Sequence, residues 1–200
     1  MQPNIYNFFK FLNQEEQRPI PVKTKLIHAP ETLTPQELDV KGSLNLSNNK
    51  KLKELPKGLK VRGDLDLRDC SSLKTLPKDL TVEGFLNLYN TSITSLPEGL
   101  TVDDWLDLSN NKKLEKLPKG LTVGGSLDLT NTKITSLPED LTVKKGYLNL
   151  TNCKNLTSLP KGLTVEGDLY LKGTPLSEQT DEQIRAGRNI KGKILRQKNK

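Results

Sequence analysis

Leu-Pro pairs stand at Leu55-Pro56, Leu76-Pro77, Leu96-Pro97, Leu117-Pro118, Leu137-Pro138 and Leu159-Pro160, in steps of 21, 20, 21, 20 and 22 residues. Each opens the pattern L-P-x-x-L-x-V, and each valine leads a segment such as VRGDLDL, VEGFLNL or VEGDLYL. Together with VKGSLNL, seven copies begin at valines 40, 61, 82, 102, 123, 143 and 165. A short fixed period marks a solenoid: each unit is too small to bury its own apolar face and must stack on its neighbours. No other feature of the chain restricts the fold as much.

Within a copy, Val, Gly, Leu and Leu recur at spacing two, which turns one face of a short strand inward. Parallel stacking of these strands predicts a sheet along one side, with the leucines forming a continuous core. A period near 21 residues leaves little room for a helix on the return side, so L-P-x-x-L is expected to run extended or as a short turn. The 22-residue step contains an extra residue in VKKGYLNL, which predicts a bulge near Gly146. Hydrophobic content of 33% with 28% charge could mark a disordered chain. Regular apolar spacing argues against that, and a thin repeat protein needs few core side chains per unit.

The strand wording resembles the leucine-rich repeat, whose consensus strand is LxxLxLxxN, over residues 33–176. The resemblance implies a leucine-rich-repeat solenoid of the α/β class with short, mostly-β repeats. It would have a parallel sheet on the concave face, an extended convex side and small helical caps. It also implies that Asn49, Cys70, Thr91, Asn111, Thr132, Cys153 and Thr174 turn inward to bond neighbouring backbone. Both cysteines are thereby structural, and two are too few for a disulfide framework. Copies with Asn or Cys there reach the next apolar residue in three positions (Leu52, Leu73, Leu114, Leu156). Copies with Thr reach it in two (Ile93, Ile134, Leu176). The Leu-Pro form is similar to the repeats of secreted effectors of Gram-negative pathogens, including the recognition half of their ubiquitin ligases, and to repeats in other bacterial and phage proteins. Those ligases carry a catalytic cysteine domain after the repeats. Residues 177–200 hold none, so recognition carries over and ligase chemistry does not.

Three regions are expected: 1–32, an N-terminal helix and connector forming a cap; 33–176, the repeats; and 177–200, a C-terminal cap and basic tail. Ile5, Phe8, Phe9 and Leu12 fall at helical spacing in 4–17, suited to a cap or to a membrane-surface or partner-binding helix. Residues 18–32 read as a Pro-rich connector. Thr180 to Gln183 form a capping box for a short helix ending near Gly187, and NIKGKIL (189–195) imitates a closing strand before a frayed RQKNK tail.

In the family that the repeat resembles, the concave strand face binds partners. Its column before the first strand leucine reads Ser43, Asp64, Phe85, Trp105, Ser126, Tyr147, Asp168. The column between the leucines reads Asn45, Asp66, Asn87, Asp107, Asp128, Asn149, Tyr170. Tyr89 stands one column on. Leu, Ile and Val do all the packing, so these rings are surplus to the core and read as interface anchors, or else as pairs that stiffen the sheet. From Val61 to Leu129 the outward positions hold Asp64, Asp66, Glu83, Asp103, Asp104, Asp107 and Asp128 against Arg62 alone. Asp107 and Asp128 are neighbours on parallel strands, a repulsion that fits a basic partner or serves solubility. The predicted partner-binding residues are Asp64, Asp66, Phe85, Asn87, Tyr89, Trp105, Asp107, Asp128, Tyr147 and Tyr170.

The net charge of +7 comes from return-side lysines such as Lys50, Lys57, Lys112, Lys113, Lys116 and Lys119. Single-strand binding needs rings in a basic groove, whereas these rings sit with acids, so no specific nucleic-acid site is expected. His28 is the only histidine, and neither a catalytic triad, a P-loop nor metal-ligand spacing is present. Catalytic residues, metal and cofactors are therefore expected to be none. The N-x-[ST] matches at Asn45, Asn90, Asn149 and Asn155 follow from the repeated wording. No secretory signal or membrane-length apolar run is present, which predicts a soluble chain, cytoplasmic or exported into a host cell without a classical signal. The expectation is a non-enzymatic protein-binding module, monomeric when free, whose partner has a basic or mixed-charge surface. The alternatives are a structural, adhesion or phage-associated repeat protein and a nucleic-acid-binding solenoid.

Overall fold

A computed structural model describes residues 21–196. Each copy contributes two short strands, and successive copies stack in parallel into two eight-stranded sheets. The first sheet runs from Asp39–Val40 through Lys60–Val61 and Thr81–Val82 to Asn189–Ile190. The second runs from Leu44–Asn45 through Leu65–Asp66 and Leu86–Asn87 to Ile194–Leu195. The chain is thus a parallel β-solenoid of about seven turns. Val82, Leu86, Leu88, Ile93, Leu96 and Leu100 join their equivalents in one continuous core.

The single strand expected in each copy is broken in two by a bend just after the valine. Between Val82 and Leu86 the chain bends at Glu83–Gly84. The bend presses successive backbones together: a Cβ on Gly167 would stand 2.5 Å from the Gly146 carbonyl oxygen, and one on Gly63 2.9 Å from the Gly42 carbonyl carbon. Asp104 occupies this slot in the fourth copy. The fourth copy is divided at the same place, into Thr101–Val102 and Leu106–Asp107. The extra residue of VKKGYLNL is absorbed in the same bend. Val143 therefore stays opposite Val123, and Leu148 opposite Leu127.

The return segments 50–59, 71–80 and their equivalents contain no helix. The proline carbonyl accepts the N–H of the leucine three residues on, as at Leu80 to Pro77 (3.3 Å) and Leu141 to Pro138 (3.2 Å). The two copy lengths have a local cause. In the longer copies Leu73 N–H reaches the Cys70 carbonyl (3.0 Å) and Leu114 N–H the Asn111 carbonyl (3.2 Å). In a Thr copy the hydroxyl closes the turn sooner, Ile93 N–H donating to Thr91 Oγ1 (3.4 Å). The inward ladder is present: Asn111 is fully buried and donates to the Leu88 and Leu108 carbonyls, both at 2.8 Å. Cys70 and Cys153 are buried free thiols on the Leu46 and Leu129 carbonyls, and burial pushes both above their ordinary pKa.

At the N-terminal end the Pro-rich stretch is not a plain connector. Val22–His28 form helix α1, with Pro21 at its N-cap and Pro30 opening a 3₁₀ turn. Proline fixes φ near the helical value, so these prolines flank short helices instead of interrupting one. Leu26 joins the core, and Lys25 Nζ pairs with Glu37 at 2.7 Å. The helix expected over 4–17 and the tail beyond 196 lie outside the described residues. At the other end α2 (Asp181–Arg185) carries the expected capping box: Thr180 Oγ1 accepts from Gln183 N–H, and Gln183 Oε1 from Thr180 N–H. NIKGKIL supplies the closing strand of both sheets. Arg188 clamps this cap, donating to the carbonyls of Leu159, Pro160, Gln183, Ile184 and Ala186.

Candidate partner-binding face

The outer face of the second sheet carries three columns of side chains, one residue per copy in each. In the first column the small polar members have a structural task. Ser43 Oγ accepts the Asp64 N–H (3.0 Å), Asp64 Oδ1 that of Phe85 (3.1 Å), Ser126 Oγ that of Tyr147 (3.2 Å), and Asp168 Oδ1 that of Lys193 (2.8 Å). The bend opens the backbone ladder here, and a side-chain oxygen replaces the missing carbonyl. Phe85, Trp105 and Tyr147 occupy the same column and offer no acceptor at that place. At each aromatic copy no side-chain oxygen of this column stands ready for the N–H of the next copy. The Trp105 Nε1–H is also buried without an acceptor, a state that costs about 1–3 kcal/mol.

The rings gather into two pairs. Phe85 and Trp105 stand 6.1 Å apart between centroids at 57°, and Tyr147 and Tyr170 5.5 Å apart at 76°. All four are half-buried, and among the described residues only Tyr89, in the third column, counts as an exposed large apolar side chain, at 37%. The Phe85–Trp105 neighbourhood expected from the strand spacing is therefore present.

The second column departs from expectation. Asp66, Asn87 and Asp107, read as outward members of an open face, are only 7, 8 and 7% exposed. Each short side chain curls back to cap its own strand. Arg68 N–H donates to Asp66 Oδ1 (3.1 Å), Tyr89 N–H to Asn87 Oδ1 (2.9 Å), Ser109 N–H and Oγ–H to Asp107 Oδ1 (2.8 and 2.6 Å), and Thr130 N–H to Asp128 Oδ1 (2.8 Å). This is the i to i+2 bonding that Asp and Asn make at turns. The repeated wording N/D-L-S/T carried the signal, in Asn45-Leu46-Ser47, Asp107-Leu108-Ser109 and Asn149-Leu150-Thr151.

The acids are not equivalent. Asp66 is neutralised by Arg68 at 2.8 Å, and Arg62, read as a lone cation, bridges Asp39 (2.8 Å) and Glu83 (3.8 Å). Asp107 and Asp128 lie in register on adjacent strands, and among the described residues neither has a cationic partner. Burial pushes the Asp107 carboxyl above its ordinary range, the Ser109 hydrogen bonds oppose this, and the Asp128 charge adds to it. Burial likewise raises the Tyr147 hydroxyl, followed by the Asp128 and Asp107 charges. Of the ten predicted residues the fold therefore draws together Phe85, Trp105, Asp107, Asp128, Tyr147 and Tyr170. Asp64, Asp66 and Asn87 serve the sheet, and Tyr89 stands apart.

A further column escaped sequence reasoning. Asn48, Asp69, Asn90, Asn110, Asn131 and Asn152 all have φ between 52° and 62°, and Gly173 has 70°. Asn, Asp and Gly are the residues that tolerate this left-handed turn, so their recurrence one place before the inward ladder was the signal. Their amides form a second ladder, Asn131 Nδ2 to Asn110 Oδ1 and Asn152 Nδ2 to Asn131 Oδ1, both 2.9 Å.

The chain matches no protein-family model, and no curated protein matches it at a significant level. Among the described residues no helix is long and apolar enough to cross a membrane, and no group of three or more His, Cys, Asp or Glu could hold a metal ion.

Proposed function

We propose that this chain is a leucine-rich-repeat protein of the bacterial Leu-Pro type. It acts without chemistry of its own, gripping a partner protein through the outer face of the second sheet. The observation that carries the reading is the exchange in the first column, where Phe85, Trp105 and Tyr147 replace side chains that complete the backbone ladder. A ring standing where other copies place a backbone-capping oxygen is accounted for by binding, and Trp and Tyr are the usual interface anchors. The partner has a basic or mixed-charge surface, because two uncompensated carboxylates lie between the ring pairs. In an effector role the module blocks or recruits a host regulatory protein, such as a ubiquitination component.

The test is the double variant Phe85→Ala/Trp105→Ala. Circular dichroism and thermal melting should show the fold retained, while affinity for the partner falls more than tenfold, a loss above about 1.4 kcal/mol. Unchanged affinity rejects the face. One observation favours a second reading, an anionic ligand on the return side: Lys112, Lys133 and Lys154 line a cleft of about 370 Å³ with Asn131 and Asn152. That reading predicts strong salt dependence and loss of binding in the Lys112→Glu/Lys133→Glu variant.

A further inference from the structure

Neighbouring layers of the first sheet are joined at the bend by a repeated pair of hydrogen bonds. Val143 and Gly146 carbonyls accept from Glu166 and Gly167 N–H (3.0 and 3.1 Å). One layer on, Val165 and Gly167 carbonyls accept from Lys191 and Gly192 N–H (2.9 and 3.1 Å). Ile190 is in register with Val165, and Gly192 holds the place of Gly167, so their carbonyls are the pair that a ninth layer would use. Arg185, the last residue of α2, fills both places. Its Nη1 donates to the Ile190 carbonyl and its Nη2 to the Gly192 carbonyl (2.6 Å). One planar guanidinium fork thus stands where two backbone N–H groups would stand.

The opposite end carries the matching donors. Lys41 and Gly42 hold the places of Lys191 and Gly192, both are exposed, and among the described residues neither N–H has an acceptor. In the second sheet the direction reverses: Leu44 and Leu46 N–H donate to the Asp64 and Asp66 carbonyls (2.7 and 2.8 Å), and Leu169 and Leu171 N–H to the Lys193 and Leu195 carbonyls (both 2.8 Å). The equivalent acceptors at the N-terminal edge are the Ser43 and Asn45 carbonyls, and the equivalent donors at the C-terminal edge are Ile194 and Arg196 N–H. Asn45 is exposed although Asp66, Asn87 and Asp107 in its column are buried.

We infer that the two ends of the solenoid are complementary surfaces for a second molecule of this chain, and that Arg185 keeps them apart by filling the acceptors that an incoming Lys41 and Gly42 would need. An open sheet edge is a template for another chain, and a head-to-tail contact that does not close on itself grows into a filament. Arginine suits the task because its fork serves two carbonyls at once, whereas an ammonium is a single compact charge. In such a contact Lys41 would lie beside Lys191, a repulsion that salt screens.

The test uses the full chain at high salt, with size-exclusion chromatography and light scattering over a range of concentrations. Wild type should stay monomeric. Arg185→Met keeps the stem and removes the donors; it should keep the native circular dichroism while its weight-average mass rises with concentration to about twice the monomer or more. Lys41→Pro deletes one donor at the far end, at a residue whose N–H the fold does not use. It should be monomeric alone and should return the Arg185→Met chain to a monomer. A natively folded Arg185→Met chain that stays monomeric, a wild type that associates equally, or association that persists in the double variant would overturn the inference. The last of these would mean that Arg185 only tightens the C-terminal cap, as Arg188 does. If Arg185→Met loses the native spectrum, Arg185→Lys decides: association that Lys41→Pro removes supports the inference, and a monomer overturns it.

Discussion

Asp107→Asn should make this protein more stable and a poorer binder. Asparagine keeps the oxygen that accepts both Ser109 donors, at 2.8 and 2.6 Å, and removes the charge registered against Asp128. Like charges directly opposite on neighbouring strands cost about 0.2–1 kcal/mol, and burial of the carboxylate adds to this, so the expected gain is about 0.5–1 kcal/mol. For a chain of this size that raises the melting temperature by about 1–4 °C. Asp107→Ala serves as the contrast: it relieves the same repulsion but strands the Ser109 donors, at about 1–3 kcal/mol, and should be net destabilising. The pH dependence has a defined direction. The folded pKa of Asp107 is raised above the unfolded value near 3.9, so ionisation works against the folded state. The advantage of Asn is full above the folded pKa, shrinks as pH falls through it, and its pH-dependent part is gone below the unfolded value. Thermal melts of wild type, Asn and Ala variants between pH 3 and 7 measure this. An Asn variant less stable than wild type at pH 7, or an advantage unchanged at pH 3, would refute the reasoning.

Gly167→Ala should destabilise by more than about 1 kcal/mol, because its Cβ meets the Gly146 carbonyl oxygen at 2.5 Å. Gly42→Ala, with nothing within 4 Å, should be neutral or slightly stabilising in the same urea titration. Arg188→Ala removes the clamp on the Leu159 and Pro160 carbonyls; hydrogen exchange should show protection lost first across Asp181–Leu195 while the central copies keep theirs. Cys70 and Cys153 are buried with raised pKa values, so a thiol reagent at pH 8 should label neither in the native protein and both in denaturant.

The sequence alone determined the solenoid. The valine and leucine positions, the extended return side, the capping box at Thr180 and the closing strand at Ile190 follow from periodicity and local chemistry, which the chain carries in its own order, while the inward ladder at Asn111 and Cys153 was legible through the family that the strand wording resembles. Only the tertiary structure decided what depends on distances between copies. Gly84 and Gly167 look like ordinary alternating strand positions until neighbouring backbones close on them in a bend that divides every copy. Asp66 and Asp107 look outward until the strands beside them leave their oxygens nearest to their own backbone. Trp105 and Tyr147 share a column in the sequence, yet their pairing with different rings, Phe85 and Tyr170, is a matter of side-chain packing between copies, which no single repeat encodes.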